Sequence, residues 1–148
     1  MLVAVAGMSH RSAPVEVRER VAFPPCGSRP FLRRLLDEGV ASEAVLLSTC
    51  NRTEVYVVAE DAGARTRVLD LLAEDRGVDR ASLDGDTYWL TDDEAVRHLY
   101  RVASSLDSMV VGEGQILGQV RDAYRAATGR PRSASATAAA CERPASDR

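Results

Sequence analysis

The chain has 148 residues, 45% of them hydrophobic, enough for one domain with its own core. Its net charge of −3 argues against a non-specific grip on nucleic acid, which rests on neutralised phosphates; a polynucleotide partner has to be held locally by a few arginines. All 19 basic residues are Arg, as biased codon usage produces, and without lysine no Schiff-base or lysine general-base chemistry is open.

Leu2 to Met8 reads as a buried strand, with Val3 and Val5 β-branched. The polar stretch Ser9 to Pro14 is a loop, and Pro14 suits the first turn of a helix continued by Val15 to Val21. Pro24-Pro25 ends that element. A second helix is expected from about Ser28 to Glu38, with Phe31, Leu32, Leu35 and Leu36 on one face and Gly39 as its C-terminal cap. Ala44 to Thr49 and Thr53 to Ala59 read as two strands joined at Cys50-Asn51-Arg52, a hairpin. A helix from Ala64 to Arg76 ends at Gly77, and Thr87 to Leu90 forms a short fourth strand. Thr91-Asp92-Asp93-Glu94 matches a capping box, opening a helix with Ala95, Leu99, Val102 and Leu106 as its apolar stripe. Asp107 to Gly114 interrupts. The last helix carries Ile116, Leu117, Val120, Ala123, Tyr124 and Ala127 at helical spacing. The order β-α-α-β-β-α-β-α-α predicts an α+β fold with a split β-α-β pattern and one face of helices. Residues 128–148 contain no Val, Ile, Leu, Met, Phe, Tyr or Trp, so the folded domain is expected over 1–127 and the remainder as a disordered low-complexity tail.

The three cysteines, Cys26, Cys50 and Cys141, are odd in number and form no CxxC, which argues against a disulfide framework or a structural zinc site and fits a reducing cytosol. The first nine residues lack the basic region of a signal peptide, and no apolar run approaches the roughly 20 residues that span a bilayer. A metal-ligand cluster, a Walker loop and a GxGxxG are not visible; Gly112-x-Gly114 lacks the third glycine and does not follow a strand.

Chemistry concentrates in Ser48-Thr49-Cys50-Asn51-Arg52-Thr53-Glu54. A cysteine ending an apolar strand can be a packed cap, since free cysteine is among the most buried residue types. In a polar turn two residues from a guanidinium it can instead be a thiolate nucleophile forming a covalent intermediate. His98, one step off the apolar stripe of its helix, is one of two candidates for an imidazole base; His10 is the other. Ser108, Glu113, Gln115 and Gln119 follow or flank Gly112 and Gly114, and the two glutamines, four residues apart, share a helix face. Such a cluster can hold a small polar zwitterion, with the glycines letting backbone approach it.

Three segments carry a resemblance: Gly7 to Glu19, Leu47 to Tyr56, and His98 to Val120. In that order they resemble the N-terminal catalytic domain of the glutamyl-tRNA reductase family over about residues 1–127. The resemblance implies a ferredoxin-like split β-α-β domain with extra C-terminal helices. It implies that Cys50 attacks the ester of glutamyl-tRNA and forms a glutamyl thioester. By the same resemblance His98 matters for activity, and Thr49, Asn51, Arg52, Ser108, Glu113, Gly114, Gln115 and Gln119 contact the substrate. Arg52 can bind the γ-carboxylate bidentately or stabilise the thiolate. In the family, NADPH then reduces the thioester to glutamate-1-semialdehyde, the entry to tetrapyrrole and heme biosynthesis in the cytoplasm. The family's NADPH-binding Rossmann domain and helical dimerisation domain, which makes it a homodimer, lie beyond the match. The expectation is therefore a truncated oxidoreductase limited to thioester formation or esterase activity, with no metal, no membrane contact and no cofactor-binding residues in this chain. A non-catalytic remnant or regulatory module, binding glutamyl-tRNA or a reductase subunit, is the alternative.

Overall fold

The β-branched run at the start of the chain forms the strand on which the rest is assembled, β1 (Leu2–Ser9). After it come α1 (Val15–Val21), α2 (Ser28–Asp37), β2 (Glu43–Ser48), β3 (Arg52–Ala59), α3 (Ala64–Arg76), α4 (Arg80–Asp84), β4 (Tyr88–Thr91), α5 (Asp92–Ala103) and α6 (Gln115–Ala127). These come from a computed structural model that describes residues 1–24, 27–110, 112 and 114–129. Cys26, Glu113 and Cys141 lie outside the described residues, as does the expected tail from residue 130 onward.

The four strands form one antiparallel sheet in the order β2-β3-β1-β4, the ferredoxin-like arrangement. Period-two alternation divides it into two faces. Ala4, Ala6, Met8, Leu46, Val55, Val57 and Ala59 point to a main core filled by Phe31, Leu32 and Leu35 of α2, Val68, Leu69 and Leu72 of α3, and Leu83 of α4. On the other face, Leu47 and Tyr56 meet Val102 of α5 and Ile116, Val120 and Ala123 of α6. Helices therefore cover both faces, not the single face expected. The C-terminal pair occupies the side that a bare β-α-β-β-α-β unit leaves open.

Other departures are local. The short α4 has no counterpart among the predicted elements, because its five residues bury only Leu83 and show no helical period. The capping box is not formed: Thr91 makes no side-chain cap bond. Thr91 is instead the last residue of β4, paired with Ala4, and Asp92 takes a left-handed φ of 47° and accepts from the Val3 N–H. On α6 the stripe is narrower than expected. Ile116, Val120, Ala123 and Ala127 keep i, i+4, i+7, i+11 spacing toward the protein, whereas Leu117 and Tyr124, one step around, are exposed. Leu36 and Leu106 are likewise exposed.

Candidate functional site

The β2–β3 corner carries Cys50 at the surface. Several contacts fix its backbone. Thr49 N–H donates to the Arg52 carbonyl at 2.8 Å, and Asn51 N–H donates to Thr49 Oγ1. From outside the hairpin, His10 N–H donates to the Asn51 carbonyl at 2.9 Å, and Arg18 Nη1 donates to the Cys50 carbonyl at 3.1 Å. The nucleophile candidate thus stands on a turn braced by the loop after β1 and by α1.

Arg52 does not point out beside the thiol. It alternates onto the α5/α6 face of β3, where its side chain is 2% exposed. Nη1 donates to Glu54 Oε1 at 2.8 Å, and Nη2 donates to both the carbonyl and Oδ2 of Asp107. Burial opposes charge on this guanidinium, but Glu54 and the Asp107 hydrogen bond outweigh it and push Arg52 further up. Its charge is met by two carboxylates. The guanidinium bonded to Cys50 itself belongs to Arg18, which the motif reading passed over.

Asp107 reaches Arg52 because α5 ends abruptly. Ser105 takes a left-handed φ of 62°; its N–H bonds to Val102 O, and Leu106 N–H bonds to Arg101 O. That is a Schellman turn with serine where glycine is usual. It sends the chain back over the sheet, where Asp107 also pairs with Arg11 at 3.4 Å.

Glu54 is the centre of the cluster and is fully buried. Oε1 accepts from Arg52 Nη1, Tyr88 OH and His98 Nε2, and Oε2 accepts from Tyr56 OH at 2.6 Å. Burial alone would raise this carboxyl. The His98 hydrogen bond and the Arg52 charge prevail and hold it below the ordinary carboxylate value. An ionised carboxylate only accepts, so His98 Nε2 carries the proton in this contact. Tyr56 and Tyr88 are pushed well up by burial and by the Glu54 charge, and both remain protonated donors.

A glycine makes this convergence possible. In register, Gly7 of β1 lies between Glu54 of β3 and Tyr88 of β4. A Cβ at Gly7 would stand 2.8 Å from Glu54 Cγ and 3.0 Å from Tyr88 Cε2. Without it, side chains from two non-adjacent strands meet across β1.

Arg52 and His98 are therefore brought to one carboxylate. Thr49 and Asn51 belong to the Cys50 turn, and Ser108 follows Asp107 at half-exposure. Gly114, Gln115 and Gln119 are exposed at the start of α6. Glu54, Tyr56, Tyr88, Asp107 and Arg18 are additions to the predicted set. The available signal was period two: Arg52, Glu54 and Tyr56 occupy one face of a strand whose other face is Val55, Val57 and Ala59. His10 lies beside the turn with Nδ1 buried and, among the described residues, without a hydrogen-bond partner. Burial, then Arg52 and Arg11, hold it below the usual imidazole range. Among the described residues, no group of three or more His, Cys, Asp or Glu side chains is arranged to hold a metal ion, and no helix is long and apolar enough to cross a membrane.

Fold and corner together define an α+β domain with a surface thiol at a braced hairpin turn. The family model described as glutamyl-tRNAGlu reductase, N-terminal domain, matches residues 6–143. A glutamyl-tRNA reductase of Rubrobacter xylanophilus is 77% identical over 128 residues, 86% of this chain and 30% of the relative. One from Pelobacter propionicus is 50% identical over 125 residues, 84% of this chain and 29% of the relative. The solved glutamyl-tRNA reductase from Methanopyrus kandleri superimposes with a TM-score of 0.66 at 36% identity, over 91% of this chain and 30% of that one. The chain belongs to the glutamyl-tRNA reductase N-terminal domain family. It spans about 30% of the length of these relatives.

Proposed function

We propose that these residues carry the acyl-transfer half of a glutamyl-tRNA reductase. The observation that carries this reading is the exposed Cys50, held on a braced turn at the end of the strand that bears Arg52 and Glu54. The Cys50 sulfur attacks the carbonyl of the glutamyl ester. An S–C bond forms, the C–O bond to the terminal ribose breaks, and the tRNA leaves as a free hydroxyl carrying the proton lost by the thiol. Thr49, Asn51, Ser108, Glu113, Gly114, Gln115 and Gln119 hold the glutamyl group, and His98 serves the proton transfers. Because both Nη atoms of Arg52 already meet carboxylates and its side chain is 2% exposed, Arg52 acts from behind the pocket, holding Glu54 and Asp107 in place, and touches neither the γ-carboxylate nor the thiol directly. The compartment is the cytoplasm, where a thiol stays reduced. In the whole reductase NADPH supplies hydride to the thioester, yielding glutamate-1-semialdehyde for tetrapyrrole synthesis. These residues contain no GxGxxG loop of the kind that holds a dinucleotide.

The test needs no reductant. The 148-residue chain is mixed with glutamyl-tRNA, quenched in acid and weighed by mass spectrometry. A glutamyl adduct on Cys50, absent in Cys50→Ser, is expected. No adduct with the unaltered chain overturns the acyl-transfer reading in favour of a binding module. An adduct persisting in Cys50→Ser overturns the assignment of the nucleophile.

A further inference from the structure

We infer that Tyr88 is a positioning residue of this site, setting the orientation of His98 through a shared contact with Glu54. The inference rests on the acyl-transfer reading above for its kinetic consequence, but its structural half stands alone. Tyr88 is bonded through its hydroxyl to Glu54 Oε1, the oxygen that also takes His98 Nε2. Its ring lies 5.2 Å from the His98 ring, tilted by 60°. One side chain therefore fixes both the acceptor of the imidazole and the plane in which the imidazole sits. Tyr56 gives the contrast, since it binds the opposite oxygen, Oε2.

A carboxylate bonded to one imidazole nitrogen sets which tautomer is populated and where the other nitrogen points. Here Nε2 is committed to Glu54, which leaves Nδ1 for any partner outside the cluster. Without the Tyr88 hydroxyl, the aromatic ring loses its anchor and is free to tilt, Glu54 Oε1 is held only by Arg52 and His98, and the imidazole loses the ring that fixes its plane. The position of Arg52 changes less, because Arg52 keeps its bonds to Asp107.

The experiment compares Tyr88→Phe with Tyr56→Phe; each deletes one hydroxyl and leaves the ring. Single-turnover transfer of glutamate to Cys50 is followed as glutamyl-tRNA is varied. The expected result for Tyr88→Phe is a saturating rate lower by about tenfold, with the half-saturating concentration unchanged to within about twofold. The loss should exceed that of Tyr56→Phe by about fivefold or more. In parallel, nuclear Overhauser spectra report the ring contacts of His98. One fixed set of contacts is expected in the unaltered chain and in Tyr56→Phe, and an averaged set in Tyr88→Phe, while Nε2 stays protonated in all three because Glu54 remains to accept from it. Equal rate losses in the two variants, or unchanged His98 ring contacts in Tyr88→Phe, would overturn the inference. If the unaltered chain forms no adduct, the function proposed above fails, and the ring-contact measurement alone decides the role of Tyr88.

Discussion

At the scale of single residues, the buried Glu54–Arg52 contact dominates. Removing one partner of a buried pair leaves an uncompensated charge, which typically costs about 3–5 kcal/mol. Glu54→Gln keeps the shape and removes one of the two carboxylates that face Arg52, leaving Asp107, so a loss at the low end of that range, about 3 kcal/mol, is expected in urea unfolding. The same carboxyl gives a pH dependence with a definite sign. Its folded value is lowered from the ordinary value of 4.5, so it binds its proton less readily folded than unfolded. Its contribution is complete above about pH 4.5 and is lost as the pH falls through the lowered folded value. Stability measured against pH should therefore drop on the acid side, and Glu54→Gln should flatten that limb. An acid limb of equal slope in the variant would assign the effect to other carboxylates.

At the scale of elements, the sheet and the last helix supply separate tests. Gly7→Ala places a methyl group against Glu54 and Tyr88, and 3.1 Å from the Thr53 carbonyl. Overpacking of this kind costs about 1–3 kcal/mol, read as a lowered unfolding midpoint. On α6, Ile116→Ala should cost about 2 kcal/mol or more, and Leu117→Ala less than about 0.5 kcal/mol. Equal costs would mean that α6 is rotated from the orientation described. That pair also shows where reading the sequence stops. Strands and helices were legible because β-branched runs, helical spacing and the glycines at 39 and 77 are local signals, and both glycines do take positive φ. Which half of a wide apolar stripe faces inward depends on what packs against it, so Ile116 and Leu117 looked alike. Cys50 and Arg52 were conspicuous by position in a turn, whereas the burial of Glu54 was not. A glutamate in a strand normally signals solvent, and two of its four donors arrive from residues 34 and 44 positions away.

At the scale of the whole molecule, the net charge of −3 limits how these residues meet a polyanion. Few phosphates can be neutralised, so under the function proposed above binding of glutamyl-tRNA should be weak and its salt dependence shallow, with log K falling against log salt no more steeply than about −2. A steep slope in a salt titration would reveal a basic surface that the composition hides. The crossing of β1 by Glu54 and Tyr88 has a further consequence, in time as well as in energy. Strands β3 and β4 are not neighbours, so their side chains cannot meet until β1 has been laid between them and α5 has closed above. Loop closure over such separations comes late, after most of the chain is committed. The charge network should then be largely absent from the folding transition state. Glu54→Gln would leave the refolding rate nearly unchanged and accelerate unfolding on the order of a hundredfold. The polar cluster behaves as a late latch, doing little to guide the chain into its fold and much to keep it there.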